Sequence, residues 1–375
     1  MEKISIALCG PGDVGSKLLQ RTIDIPRFGY VVIADSSGAT AKYANGSYHF
    51  FDKTELQQII GLKQRGYKLK DYKNDRTVFY NEVIDAIGEI PSIDVLVDTT
   101  DVQSYPILMV AADRGLHVVG SNKQPYADVT FSQYKELIAK VEEKGLILDD
   151  RTTVSANLGA LPRVREFVDT GGISHIRGCL SGTMAYIPYR MNQGSKFSQG
   201  LSEARDRQYT ERDERVDLIG KDFARKVVEI GRAVGVPLEL ISIKVEEYLP
   251  KELLDIPIEE FRKRVPELDD VMESRVKKAQ QNGCVLRFIG ELDFDRNVYE
   301  VGFRGLQMDD PQATTKGCWN KVTIYPRAWE GESMSVEGPG AGLPYTAQGL
   351  EAGLHDIRRL KERISSTNES RPLAK

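Results

Sequence analysis

The chain has 375 residues, enough for two or three domains with separate cores. With 41% hydrophobic and 28% charged residues and a formal net charge of -4, its composition is that of a soluble globular protein, without the basic excess that nucleic acid or an anionic lipid surface would require. No apolar run reaches membrane-spanning length, and the start, MEKISIALCGPG, has neither a basic leader nor an apolar run long enough for a signal peptide, so a cytoplasmic location is expected.

In chain order, Ile4 to Cys9 reads as a buried strand that enters a glycine turn and then a helix. YVVIADSSG, IDVLVDTT and LHVVGSNK are further apolar runs that end in polar residues, as parallel strands do where they meet their loops. Helical stretches such as SYPILMVAADRG and FSQYKELIAKVEEKG lie between them. Strand alternating with helix implies right-handed crossovers and a parallel sheet covered on both faces. A polar and aromatic insertion runs from Gly38 to Asp75, in which Asp52 to Arg65 is compatible with a helix and the remainder with a loop over the sheet. After residue 150 long helical patterns take over, followed by strand patterns in CVLRFIGELDF, VYEVGFRGL and NKVTIYPRA, which suggests a second α+β domain. ESMSVEGPGAGLPYTAQGLEAGLHDIRRLKERI then reads as a strand, a glycine turn and a helix. The expected organisation is residues 1–150 for a dinucleotide-binding domain, 151–335 for substrate binding and dimerisation, and 336–375 for a helix returning to the first domain.

Cys9, Cys179, Cys284 and Cys318 are widely spaced, as are His49, His117, His175 and His355. Neither set has zinc-type spacing, so reduced thiols and no metal site are expected.

Gly10-Pro-Gly12-Asp-Val-Gly15 is G-x-G-x-x-G set directly between strand and helix. Gly10 permits the tight turn, Gly12 the approach of a pyrophosphate and Gly15 the packing of helix on strand, while the helix N-terminus offers free N–H groups to phosphate. Asp35 follows Gly15 by 20 residues at the end of the second strand, where a carboxylate accepts from ribose hydroxyls. The pattern implies a Rossmann-type, doubly wound α/β domain that takes up its cofactor on Gly10, Gly12, Asp13, Val14, Gly15, Asp35 and Ser36, with Thr99 and Thr100 at the end of a neighbouring strand. A charged Asp35 favours NAD over NADP, although Ser36, Ser37 and Lys42 leave NADP open.

In the charged stretch from Tyr209 to Gly235, Phe223, Val227, Ile230 and Val234 recur with helical period, so one face is expected to be buried. Asp222 and Lys226 meet on the edge of that face, a spacing that by itself reads as a surface ion pair. The longer pattern resembles the homoserine dehydrogenases. The resemblance rests on GSNKQP from Gly120, GCLSGT from Gly178 with Tyr186, YTE from Tyr209 with Asp217, GKDFARK from Gly220, and GPGAG from Gly338, in the order of that family and over nearly the whole chain.

That resemblance implies reversible reduction of aspartate β-semialdehyde to homoserine with a nicotinamide cofactor, in a homodimer. It places Lys123 beside the nicotinamide, Asp222 and Lys226 across the substrate, and Gly182, Thr183, Tyr209, Glu211 and Asp217 in the substrate site. Gly340 falls in the loop that closes on the nicotinamide. The residue types suit the chemistry: an ammonium can protonate the alkoxide formed when hydride adds to an aldehyde, a carboxylate can orient that lysine, and Glu211 and Asp217 can receive the substrate's own ammonium. Taken singly, Lys123 reads as a solvated lysine, Gly182 and Thr183 as turn residues, Asp213, Glu214 and Arg215 as a charged loop, and Tyr186 as packing.

One segment departs from the family pattern. Where the family has a glutamate and three glycines that hold a monovalent cation, this chain has DDRTTVSANLGALP from Asp149, with Arg151 or Thr152 at the glutamate position. The metal site is therefore not expected, and Arg151 opens the alternative of another semialdehyde or amino alcohol as substrate. A nucleotide-binding regulator without turnover is the reading from a different class, and Lys123, Asp222 and Lys226 argue against it. Feedback control through an added C-terminal domain is not expected.

Overall fold

The structure is a computed structural model that describes residues 3–369. The chain divides into two compact units, Met1–Thr153 with Leu343–Lys375, and Val154–Gly342.

The first unit is built on an eight-stranded sheet of β1 (Ile4–Cys9), β2 (Phe28–Asp35), β3 (Gly38–Ala44), β4 (Ser47–His49), β5 (Thr77–Tyr80), β6 (Val95–Asp98), β7 (His117–Gly120) and β8 (Leu148–Asp149). The order is β4-β3-β2-β1-β6-β7-β8, with β5 on the far side of β3. β1, β2, β6, β7 and β8 run parallel. Their Ile, Val and Leu runs are buried on both faces because the crossover helices Asp13–Thr22, Tyr105–Asp113 and Phe131–Glu143 cover them. The chain leaves β1 to β2 on one side and reaches β6 on the other, so the strand order reverses at the carboxyl end of β1. That reversal opens the crevice in which sheets of this kind hold ligands. The C-terminal helix Leu343–Glu369 belongs to this unit, and its Ala347, Leu350, Leu354 and Ile357 share one core with Leu18, Leu19 and β1.

The insertion after Gly38 is only partly what its sequence suggests. Lys53–Gln64 is a helix, opened by an Asp52–Glu55 capping box. The rest is not a loop: β3, β4 and β5 add antiparallel strands to the sheet. Asn45 and Gly46, with φ of 51° and 81°, make the two-residue hairpin turn between β3 and β4.

The second unit carries a six-stranded sheet of β9 (Ile173–Cys179), β10 (Lys244–Val245), β11 (Cys284–Asp293), β12 (Val298–Gln307), β13 (Asn320–Pro326) and β14 (Met334–Gly338), in the order β10-β12-β11-β9-β13-β14. All pairs are antiparallel except β10 with β12. The helix Lys221–Ala233 lies on this sheet over Gly290 of β11, where an added Cβ would stand 2.8 Å from both Phe223 and Val227. Burial on this helix is not confined to one face. Lys226, Glu229 and Arg232 are buried together with Phe223, Val227 and Ile230, and Val234 caps the end half-buried. Among the described residues no helix is long and apolar enough to cross a membrane.

Candidate active site

The first unit places the residues expected to seat a dinucleotide at the reversal point. Gly10 takes φ of +87°, and a Cβ there would stand 2.7 Å from the Thr99–Thr100 backbone. At Gly15 a Cβ would meet the Gly10 carbonyl oxygen at 2.3 Å, whereas at Gly12 nothing lies within 4 Å. The turn is thus closed towards the sheet and open where a phosphate approaches the helix that begins at Asp13 and Val14. A cavity of about 260 Å³ adjoins it, lined by Gly12, Asp13, Ser16, Lys17, Lys63 and Gln64 among others. Thr99 Oγ1 donates to the Gly10 carbonyl at 2.6 Å, which ties the end of β6 to the turn.

Asp35 is not a bare carboxylate. Oδ2 accepts from Lys63 Nζ at 2.5 Å and from Leu69 N at 3.0 Å, and Oδ1 accepts from Ser37 N and Oγ. Burial alone would raise this carboxyl, but Lys63, Ser37 and the Leu69 amide outweigh it and hold it below the usual carboxylate range. Beside it Lys68 Nζ donates to Ser36 Oγ at 2.6 Å. Sequence reading missed both lysines because they come from the insertion, 28 and 32 residues from their partners.

Lys123 follows β7 at the start of the short helix Gln124–Ala127 and is half-buried. Its loop is fastened to the end of β6 by a buried carboxylate. Asp98 accepts from Thr100 N and Oγ1, from Ser104 Oγ and from Asn122 Nδ2, the side chain next to Lys123. Burial pushes the Asp98 carboxyl up despite these bonds. Asp98 and Asn122 stood inside the runs that carried the sequence reading, but that they bond to each other is visible only when β6 and β7 are adjacent.

The second unit assembles the residues expected at the substrate near two helix N-termini. Ser181 caps the helix Gly182–Met191, and Gly182 lets it pass the Cys318 carbonyl, which an added Cβ would approach to 3.3 Å. Thr183 Oγ1 lies 2.6 Å from the Tyr209 carbonyl oxygen and 3.1 Å from Asp217 Oδ1, and Glu211 N donates to Asp217 Oδ2 at 2.9 Å. The Tyr209 ring is buttressed edge-on by Tyr186 at 5.3 Å. Burial pushes Asp217 up to about 6, opposed by its bonds to Glu211 N and Thr183 and reinforced by the carboxylates of Glu211 and Asp222.

Lys226 is no surface residue. It is 9% exposed, and its Nζ lies 2.9 Å from Asp222 Oδ2 while donating to the Leu180 carbonyl at 2.7 Å, at the turn into Gly182–Met191. One ammonium therefore joins the Asp222 helix to the turn that leads into the Thr183 helix. Gly340 lies beyond β14, packed on Asn320. Of the supposed charged loop, Glu214 is instead wholly buried between Arg205 and Arg262.

The profile of the homoserine dehydrogenase family matches residues 161–354. The chain belongs to the homoserine dehydrogenase family, whose members are NAD(P)-dependent oxidoreductases. A homoserine dehydrogenase of Emericella nidulans is 27% identical over 381 residues, covering 96% of this chain and 99% of that one. Among solved structures, a Candida auris protein of unknown function superposes with a TM-score of 0.82 at 25% identity over 96% of this chain and 99% of its own. A hyperthermophilic archaeal homoserine dehydrogenase mutant in complex with NADPH gives 0.71 at 20% identity over 95% and 98%, a likeness of fold. Against the family pattern, Arg151 is the conspicuous departure, and its guanidinium is spent within the first unit. It binds Asp149 at 2.8 Å and also Asp356 of the C-terminal helix, which leaves it as a strut between strand and helix.

Proposed function

We propose that this chain interconverts aspartate β-semialdehyde and L-homoserine with NAD or NADP, acting as a homodimer. The observation that carries the reading is the buried Lys226, paired with the part-exposed Asp222 and bonded to Leu180 at the entry to the Thr183 helix, where the Asp222 charge also acts on Asp217. A lysine withdrawn from solvent and bonded to one carboxylate and one carbonyl is fixed in position, as a proton donor to an alkoxide must be. Asp222 orients it. Glu211 and Asp217 receive the substrate's ammonium, with Gly182, Thr183 and Tyr209 shaping the wall.

The bound nicotinamide exchanges a hydride with the carbon that bears the oxygen. The glycine turn at Gly10, Gly12 and Gly15, with Asp13 and Val14 opening the helix, holds the pyrophosphate; Asp35 and Ser36 face the adenosine ribose, and Thr99, Thr100, Lys123 and Gly340 face the nicotinamide. Lys123 shares with Lys226 the handling of the proton at the reacting oxygen. The pairing of Asp35 with Lys63, and Lys68 on Ser36, supports acceptance of a 2′-phosphate, so that NADP is used as well as NAD. The ion pairs of Arg151 with Asp149 and Asp356 support this substrate over a different semialdehyde or amino alcohol. The decisive assay is oxidation of L-homoserine at alkaline pH with each dinucleotide in turn. Lys226→Ala is expected to lower kcat by about 100-fold or more, and an undiminished kcat would end this assignment.

A further inference from the structure

Asn320 opens β13 opposite Gly338, the last residue of β14. It is 1% exposed; Nδ2 donates to Ser155 Oγ at 3.2 Å, and buried Oδ1 has no partner among the described residues. Gly340 rests on this side chain so closely that an added Cβ would stand 1.9 Å from Asn320 Cγ and 2.3 Å from its Cβ. The backbone at Gly340 is not left-handed, so the contact, and not the backbone conformation, excludes a side chain there. Gly338 behaves similarly, with 2.9 Å between an added Cβ and Leu158. The 338–342 segment therefore leans at two points on the loop that holds Ser155 and Leu158, once directly and once through Asn320.

We infer that Asn320 is a positioning residue for dinucleotide binding: its carboxamide is the seat of Gly340, and its bond to Ser155 couples the 338–342 segment to the 154–158 loop. The inference rests on the placement of Gly340 at the nicotinamide given above. A buried acceptor without a partner is destabilising by itself, which fits a side chain retained for placement. Ser155 and Ala156 hold left-handed φ of 63° and 49°, so the loop that Asn320 braces is also one whose backbone needs bracing.

The test is a steric swap in the full chain, read by fluorescence titration with NADPH and NADH in the absence of homoserine. Gly340→Ala is expected to weaken dinucleotide binding by about tenfold or more. Adding Asn320→Gly should restore most of it, whereas adding Asn320→Ala should not, because the alanine Cβ remains at the clash. Ser155→Ala leaves the seat intact and should raise Kd about threefold or more by cutting the link. Gly340→Ala variants that bind alike with Gly or Ala at 320, or a Ser155→Ala protein that binds as tightly as wild type, would overturn the inference. If Gly340→Ala does not fold, the Ser155→Ala titration decides alone. Since no homoserine is present, a chain that binds dinucleotide but does not oxidise homoserine sinks the proposed reaction and leaves this inference standing.

Discussion

Asp217 and Asp35 are both carboxylates in crowded surroundings, and their neighbours push them in opposite directions. Asp217 has burial and two nearby carboxylates against two hydrogen bonds, and rises to about 6. Above that value it is ionised and can attract an ammonium; below it the charge is lost. The KM for L-homoserine is therefore expected to rise as pH falls through about 6, and Asp217→Asn should raise KM at high pH and flatten the profile. A profile unchanged by that substitution would remove Asp217 from substrate binding. Asp35 instead has Lys63 against it and stays ionised but neutralised. Removing that ammonium with Lys63→Ala exposes the carboxylate's charge to a 2′-phosphate. The ratio of kcat/KM for NADP to that for NAD should fall about tenfold, and a constant ratio would show that the pair does not face the ribose. Spacing pointed to Asp35 and the family resemblance to Asp217, but neither contained their partners: Lys63 and Leu69 belong to an insertion, and the burial of Asp217 comes from elements folded around it.

At the scale of the element, the helix Lys221–Ala233 shows why its charges were hard to interpret. Its apolar spacing marked the face that packs on β11, and that face is there. The periodicity could not reveal that Lys226, Glu229 and Arg232 would be enclosed too: Lys226 reaches Leu180, 46 residues away, and Arg232 bonds Leu238 and Glu239 just past the helix end. The same holds just upstream, where Glu214 reads as one charge in a polar loop. In the fold it is gripped by Arg205 and Arg262, nine and 48 residues away. The two arginines outweigh burial and hold its carboxyl below the usual range. Glu214 thus adds stability above its unfolded pKa, and that contribution is lost as pH falls through the lowered folded value. Glu214→Ala leaves two arginines facing each other and should cost roughly 2 kcal/mol, seen as a lower midpoint in urea unfolding at pH 7. A midpoint equal to wild type would mean that solvent replaces the pair at no loss. The hairpin of β3 and β4 is a different case. Asn45-Gly46 is a turn signal, but the flanking Lys42, Tyr43 and Tyr48 do not alternate cleanly between apolar and polar, so the strands on either side are not legible from sequence.

For the molecule as a whole, local sequence was enough to establish the Rossmann-type unit. Contiguous apolar strands buried on both faces, a glycine turn and a helix are short-range features, and each is encoded within some twenty residues. The ordered blocks from Gly120 to Gly342 likewise marked the family, since blocks can be read without knowing what they touch. Three things depended on the tertiary structure. It turned Arg151 from a presumed visitor to the substrate loop into a strut between Asp149 and Asp356, 205 residues from the latter. It neutralised Asp35 with Lys63, from the helix of an insertion 28 residues further along the chain. It also withdrew Lys226 from solvent onto the Leu180 carbonyl, although its spacing from Asp222 alone suggests a weak surface contact. The physical reason is common to all three. The charge and spacing of a side chain are written locally, but its burial and its partners, which decide whether an ion pair is solvated, structural or poised for chemistry, are set by segments that only the fold brings together.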